Sequence, residues 1–254
     1  MAQYNSDIPK VIHYCWFGGK PLPKLALKCI RSWRKYFPDY EIKEWNESNF
    51  DVNMTAYTSE AYKAGKYAFV SDYARFWILN KYGGLYFDTD VEVIRDMSRI
   101  ILLGPFMGCE KTAAQSAANG GVLWVNPGLG LGATAGMPFF EDMLNMYAGL
   151  RFVKGDGSLN LSTVVDYTSE MLQKHGLRMT DEIQEVAGIK IYPVDYFCPI
   201  HDDTRTLEIT PNTVSIHHFA ASWVSGWPKW RERIKQLVGP RVTEWVIRMR
   251  HGKK

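Results

Sequence analysis

The sequence predicts an α/β fold, a mostly parallel central sheet flanked by helices, and three observations carry that prediction. Residues 11–17 (VIHYCWF) form a β-rich apolar run. Residues 21–36 then set Leu22, Leu25, Cys29 and Trp33 along one side, and residues 40–45 alternate as a strand. Strand, helix, strand is the unit from which parallel sheets are built. Further on, Phe69, Tyr73, Phe76, Ile78, Leu79 and Tyr82 recur at helical spacing before Gly83 and Gly84, which supply the backbone freedom that helix ends often use. Leu85, Tyr86 and Phe87 follow, a run too short for a helix and suited to a buried strand. The third observation is size: 254 residues, 46% hydrophobic and 22% charged, fit one large globular domain or one with a small appendage.

The remaining elements follow in order. Pro21 and Pro23 belong at the start of the first helix. Residues 47–66 read as helix and loop, and 100–108 as an apolar segment. Residues 111–121 are small and polar, the composition of a mobile loop. A strand is expected at 121–125, helices at 139–147 and 159–175, and a strand at 189–194. Asp202 and Asp203 read as turn residues. Gly130-x-Gly132-x-x-Ala135 has the form of a dinucleotide fingerprint. However, Pro138 intervenes before the next helix and no acid closes a following strand, so close backbone packing beside the ligand is the better reading.

The chemistry concentrates at Asp88 and Asp90, which follow the short strand. In extended chain, residues i and i+2 project the same way, so both carboxylates are expected to point to one place. The carboxyl edge of an α/β sheet is where ligands sit. Two like charges so close repel. A divalent cation that prefers oxygen offsets the repulsion, and it can neutralise charge on a departing diphosphate. Asp72 and Arg75, at i and i+3, share a helix face, as an ion pair or as a pair that binds sugar hydroxyls. Residues 214–223 (VSIHHFAASW) hold His217 and His218. A neutral imidazole is a common metal ligand, and on a strand only one of the two faces the acids. His13 reads as a structural, hydrogen-bonded histidine.

Ser71-Asp72-x-x-Arg75, followed by Tyr82-Gly83-Gly84-Leu85-Tyr86-x-Asp88-x-Asp90, resembles the signature of glycosyltransferase family 32. That family includes fungal mannosyltransferases, bacterial capsule and lipopolysaccharide sugar transferases and, more distantly, the glucosylating domains of large clostridial toxins. The resemblance implies a GT-A-like nucleotide-diphospho-sugar transferase fold and retention of anomeric configuration. It also implies a nucleotide sugar donor, with a UDP-hexose the first choice, and a glycan or lipid-linked glycan acceptor. Mn²⁺ or Mg²⁺ would sit on Asp90 and Asp88, with His217 as the further ligand, and Asp88 would also face the ribose and sugar. Asp72 and Arg75 would hold donor-sugar hydroxyls. Ile12-His13-Tyr14-Cys15-Trp16 matches the family's I-H-x-x-W motif, which puts Trp16 on the nucleotide base and Tyr14 among the donor-binding residues. His217, Ser222 and Trp223 match the late H-x-x-x-x-S-W motif, with Ala221 where many relatives have glycine. Ser222 and Trp223 would fold over the diphosphate. No dedicated carboxylate nucleophile is visible, so leaving-group stabilisation with front-face attack by the acceptor hydroxyl is expected.

Composition bounds the alternatives. The net charge of +3 is too small to argue for nucleic acid. Cys15, Cys29, Cys109 and Cys198 form no C-x-x-C pair. The N-terminal residues lack the apolar core of a signal peptide, and no run approaches eighteen apolar residues, so a cytoplasmic protein is expected. Residues 227–254 carry nine Lys or Arg against two Glu. Two apolar stripes run through this tail, one with Trp227 and Trp230, the other with Trp245. The expected organisation is a transferase domain at 1–225 and basic amphipathic helices at 226–254. Those helices would either rest on an anionic membrane face or pack on the domain. Two other readings remain. A haloacid-dehalogenase-like phosphohydrolase would use Asp88-Thr89-Asp90-Val91-Glu92, although Glu92 stands where Thr or Val belongs. A non-catalytic carbohydrate-binding module could keep the fold without turnover.

Overall fold

The structure is a computed structural model and describes residues 7–118, 120–200 and 206–220. The expected tail helices, Ser222, Trp223, Asp202 and Asp203 lie outside these residues. The first unit is β1 (Val11–Cys15), α1 (Lys24–Tyr36) and β2 (Glu41–Trp45), followed by α2 (Ala56–Lys63) and α3 (Tyr67–Tyr82). Then come β3 (Gly84–Tyr86), β4 (Val91–Val93), α4 (Ser98–Leu102), β5 (Phe106–Cys109), α5 (Ala113–Ala118), β6 (Val125–Asn126) and β7 (Leu131–Ala133). The chain continues through α6 (Pro138–Ala148), α7 (Val164–Lys174), β8 (Gln184–Val186), β9 (Ile189–Tyr192), α8 (Val194–Phe197) and β10 (Ser215–His217).

The fold is α/β, as expected. The main sheet has the order β2-β1-β3-β7-β5-β9-β8, with β6 beside β5. It is mixed: β1 runs parallel to β2 and β3, and β5 parallel to β9, while β7 is antiparallel to both β3 and β5. Alternation along the strands splits the core into two layers. On β1, Ile12 and Tyr14 face the layer built with Cys29, Ile30 and Trp33 of α1, whereas Cys15 faces the layer of α2, α3, α6 and α7. Leu85 and Tyr86 divide in the same way.

A second, two-stranded sheet pairs β10 antiparallel to β4, and α1 clamps β4 in place. The Trp33 Nε1–H donates to the Val91 carbonyl at 2.8 Å, the Val93 amide donates to the Ser32 hydroxyl at 3.0 Å, and the Tyr36 hydroxyl donates to the Ile94 carbonyl at 2.6 Å. These side chains occupy backbone groups that a third strand would otherwise fill.

The Gly-Gly stop between α3 and β3 is steric. Gly83 and Gly84 have φ of 64° and 103°. A Cβ on Gly84 would come within 2.7 Å of the Val11 carbonyl oxygen, and one on Gly83 within 3.0 Å of the Ala133 carbonyl.

Several expected bounds change. Residues 113–118, expected as mobile loop, form α5: alanines dominate and Thr112 and Gln115 bond reciprocally at its start. The strand expected at 121–125 is only Val125–Asn126, because glycines at 120 and 121 take positive φ. The helix expected from 159 begins at Val164, where Thr163 and Asp166 form a capping box. The strand expected to reach 194 stops at Tyr192, since Pro193 precedes α8. Pro138, read as an interruption, is the first residue of α6, where a missing N–H costs nothing. The glycine-rich stretch 128–132 is close packing: a Cβ on Gly132 would strike the Phe106 ring, and one on Gly128 the Asp88 carboxylate.

Candidate active site

Asp88-Thr89-Asp90 is a turn between β3 and β4, not extended strand, with the Val91 amide donating to the Asp88 carbonyl at 3.0 Å. Period-two alternation therefore does not govern it, and the two carboxylates meet different partners. This corrects the expectation that both point to one place by strand geometry.

Asp88 turns toward α3. Arg75 Nη2 lies 3.3 Å from Asp88 Oδ1 and 2.8 Å from Asp72 Oδ1. The Tyr86 hydroxyl donates to Asp88 at 3.2 Å, and the Arg75 guanidinium lies over the Tyr86 ring, 4.9 Å from its centre. Arg75 Nε also donates to the Ser71 carbonyl at 3.2 Å. Arg75 and Asp72 are buried, at 3% and 7% exposure. Burial pushes the Asp72 carboxyl up, to about 7, against the pull of Arg75, and Asp88 pushes the same way. Burial also works against the Arg75 charge, but Asp88, Tyr86 and Asp72 outweigh it and raise its pKa. Arg75 thus stays cationic between two acids, and Asp72 is held toward its protonated form.

Asp90 turns toward β10. His217 Nε2 lies 3.2 Å from Asp90 Oδ1, and the Ala220 amide donates to Oδ2 at 2.7 Å. Burial disfavours the Asp90 anion, yet the His217 and Ala220 hydrogen bonds bring its pKa below the ordinary value. Burial likewise opposes charge on His217, and Asp90 overcomes it to raise the pKa. The choice between adjacent histidines falls to His217, because His218 Nε2 instead lies 2.9 Å from Glu92 Oε2, which Lys28 also meets at 2.7 Å.

The donor set suits a hard or borderline divalent cation, with carboxylate oxygen and imidazole side by side. His217 Nδ1 is buried without a hydrogen-bond partner, an atom that a bound group could satisfy. Among the described residues no group of three or more His, Cys, Asp or Glu side chains is arranged to hold a metal.

At the neighbouring strand ends, Trp16 is half-buried, with Nε1 donating to the Lys20 carbonyl at 2.6 Å. Tyr14 is buried against Trp33, and its hydroxyl donates to Glu44 at 2.6 Å. His13 is structural, as expected: Trp45 Nε1 donates to its Nδ1 at 3.0 Å, and its Nε2 meets the Gly83 carbonyl at 3.0 Å. Burial lowers its pKa to about 4.

Three contributors were not singled out from the sequence. Gly128 presses its backbone against Asp88, whose amide donates to the Gly128 carbonyl at 3.2 Å. Asn126 holds that turn through the Gly128 amide at 2.7 Å and donates to Glu110 at 2.6 Å. The third is the Ala220 amide. The Asn-Pro-Gly turn was the available signal for the first two.

The site is thus an acid pair at the carboxyl edge of an α/β sheet, with Asp88 joined to a buried arginine and Asp90 to a buried histidine. Residues 23–106, about a third of the chain, match the family described as "Glycosyltransferase sugar-binding region containing DXD motif". The chain is also similar to inositol phosphoceramide mannosyltransferase 3 of Schizosaccharomyces pombe, 29% identical over 108 residues. That match covers 39% of this chain and 29% of the relative, so it spans under a third of the relative's length. Among solved structures, the PaToxG glycosyltransferase is similar at 18% identity and TM-score 0.47, covering 66% of this chain and 69% of that one. The galactosyltransferase LgtC, solved with donor and acceptor sugar analogs, is similar at 15% identity and TM-score 0.43, covering 83% and 87%.

Proposed function

We propose that the protein is a GT-A-like, metal-dependent, retaining glycosyltransferase that moves a hexose from a nucleotide diphosphate sugar, UDP-linked as first choice, to a glycan or lipid-linked glycan. The observation that carries the reading is the split environment of the D-T-D turn within a DXD glycosyltransferase region: Asp88 bound to the Asp72–Arg75 pair, and Asp90 bound to His217.

Asp90 and His217 would hold Mn²⁺ or Mg²⁺. When bound, the cation supplies charge neutralisation for the departing nucleoside diphosphate. Arg75 fixes Asp88 and leaves its remaining acceptor capacity for donor hydroxyls. Asp72, paired with Arg75 at 2.8 Å, would hold donor-sugar hydroxyls together with that arginine. Trp16 offers a flat face to the base. Ser222 and Trp223, which match the late motif, would close over the diphosphate. The +7 charge of residues 227–254 favours work at an anionic membrane surface on the cytoplasmic side, where a lipid-linked acceptor would be found.

The test is a donor screen with Mn²⁺, reading free nucleoside diphosphate with and without EDTA, and in the presence of glycan acceptors. Metal-dependent release from one donor, lost in Asp90→Ala, is the expected result. Absence of metal-dependent binding of every nucleotide tried would sink the reading.

A further inference from the structure

The helices α2, α3, α6 and α7 meet around Tyr147 of α6. Its ring packs on Tyr57 of α2 at 5.2 Å between centres, on Tyr73 of α3 at 5.8 Å and on Tyr167 of α7 at 5.5 Å. Tyr57 and Tyr147 are fully buried, and among the described residues neither hydroxyl meets a hydrogen-bond partner. Tyr167 differs, because its hydroxyl accepts from Asn160 Nδ2 at 2.9 Å. Burial raises the pKa of Tyr57 and of Tyr147, and the Asp72 carboxylate raises each further. Both phenols therefore keep their protons within reach of that charge. Asp72 also faces the start of α7, where the Val164 amide favours its anion. Thr168, one turn along the same face of α7, is fully buried, and its hydroxyl likewise meets no partner among the described residues. Buried hydroxyls are rarely left unpaired, and a recess that offers a water two to four polar partners holds it in place.

We propose that Tyr57 and Tyr147 are positioning residues that hold the Asp72 carboxyl through one shared buried water. The hydrogen-bond count closes. The water oxygen accepts from both phenols, and its own two hydrogens go to Asp72 and to the Thr168 hydroxyl. Asp72 Oδ1 takes Arg75 Nη2 at 2.8 Å, and a carboxylate has about four acceptor sites, so Asp72 can accept a further hydrogen. Neither tyrosine meets the substrate. The role rests on the reading of Asp72 as a group that holds the donor sugar. With the water in place the carboxyl keeps one orientation against Arg75, and the sugar meets a pair that it does not have to order.

The test has two arms. A crystal structure of the full chain should show one water within hydrogen-bond distance of both tyrosine hydroxyls and of an Asp72 carboxyl oxygen. Phenols bonded to other protein groups, or a dry recess, would overturn the proposal. The second arm is kinetic, with Mn²⁺ and UDP-glucose, UDP-galactose and GDP-mannose as donors. Tyr57→Phe and Tyr147→Phe keep the ring packing, and each should raise the donor KM about 3- to 10-fold while kcat stays within about two-fold. The two effects should not add, because each variant disrupts the same water: the double variant should lie within about two-fold of the weaker single one. An unchanged donor KM in the folded single variants, or effects that multiply, overturns the positioning role. If none of the three donors turns over and no nucleotide binds, the transferase reading fails by itself, and the crystal structure still decides whether the water links the tyrosines to Asp72.

Discussion

The two acids of the D-T-D turn are one residue apart in sequence and live in different surroundings. Asp88 is held by Arg75 and Tyr86, 13 and 2 residues away, within one helix–strand hairpin. Asp90 is held by His217 and by the Ala220 amide, which lies 130 residues further on. The Asp88 side is a buried cation between two acids, built from α3 and the chain just after β3. The Asp90 side exists only once β10 has docked on β4. The first arrangement is a rigid brace, and the second is a junction between distant parts of the chain that a bound cation could reinforce.

The difference can be broken from either side. The largest effect is expected from Asp90→Ala: about a 10³-fold loss of metal-dependent kcat/KM, roughly 4 kcal/mol in barrier, with a smaller stability loss of about 1–3 kcal/mol because the buried His217 ring loses its partner. Arg75→Met should lower activity and, more than Asp90→Ala, stability as well. It leaves buried Asp72 and Asp88 without their cation and should cost about 3–5 kcal/mol of stability in urea unfolding. An Arg75→Met protein as stable as the unaltered one would remove the brace from the argument.

His13 tests the floor of the Asp88 side, since it ties Gly83 to Trp45. The unfolded chain takes up its proton near 6.5, and the folded protein resists until about 4 because the ring is buried. The unfolded state therefore binds more protons between those values, and stability falls as pH drops through that window, while the full contribution is present above 6.5. The loss at pH 4 is on the order of 3 kcal/mol, and the part of the slope missing in His13→Gln measures it. The smallest effect is expected at the junction's second member. His217→Gln should weaken Mn²⁺ activation about 10- to 100-fold and leave the melting temperature within a few degrees.

Legibility followed the same divide. The α3 helix, the Gly-Gly stop and the Asp72–Arg75 pair were all readable, because each is fixed by periodicity or by i, i+3 spacing. The Asp88 partner of Arg75 was not, since that contact depends on how α3 lies against the end of β3. The motif match pointed to His217, but residue periodicity alone left either histidine free to face inward until the register of β10 on β4 was known. Alternation misled at Asp88 and Asp90 because the chain leaves the strand at Tyr86 and turns. Composition misled at 113–118, where small polar residues proved to be a helix with its own cap.

What the sequence determined by itself was the local part: an α/β succession, the placement of a D-x-D after a buried strand, and the identity of the residues that bear charge. Those follow from side-chain periodicity and backbone sterics, which act over a few residues. The tertiary structure decided which charges meet. It set Arg75 between two acids, turned Asp90 to His217, pressed Gly128 on Asp88 and aligned Tyr14 with Glu44. These contacts depend on sheet order and register, which are settled by burial summed over the whole chain, so no short stretch carries enough information to specify them.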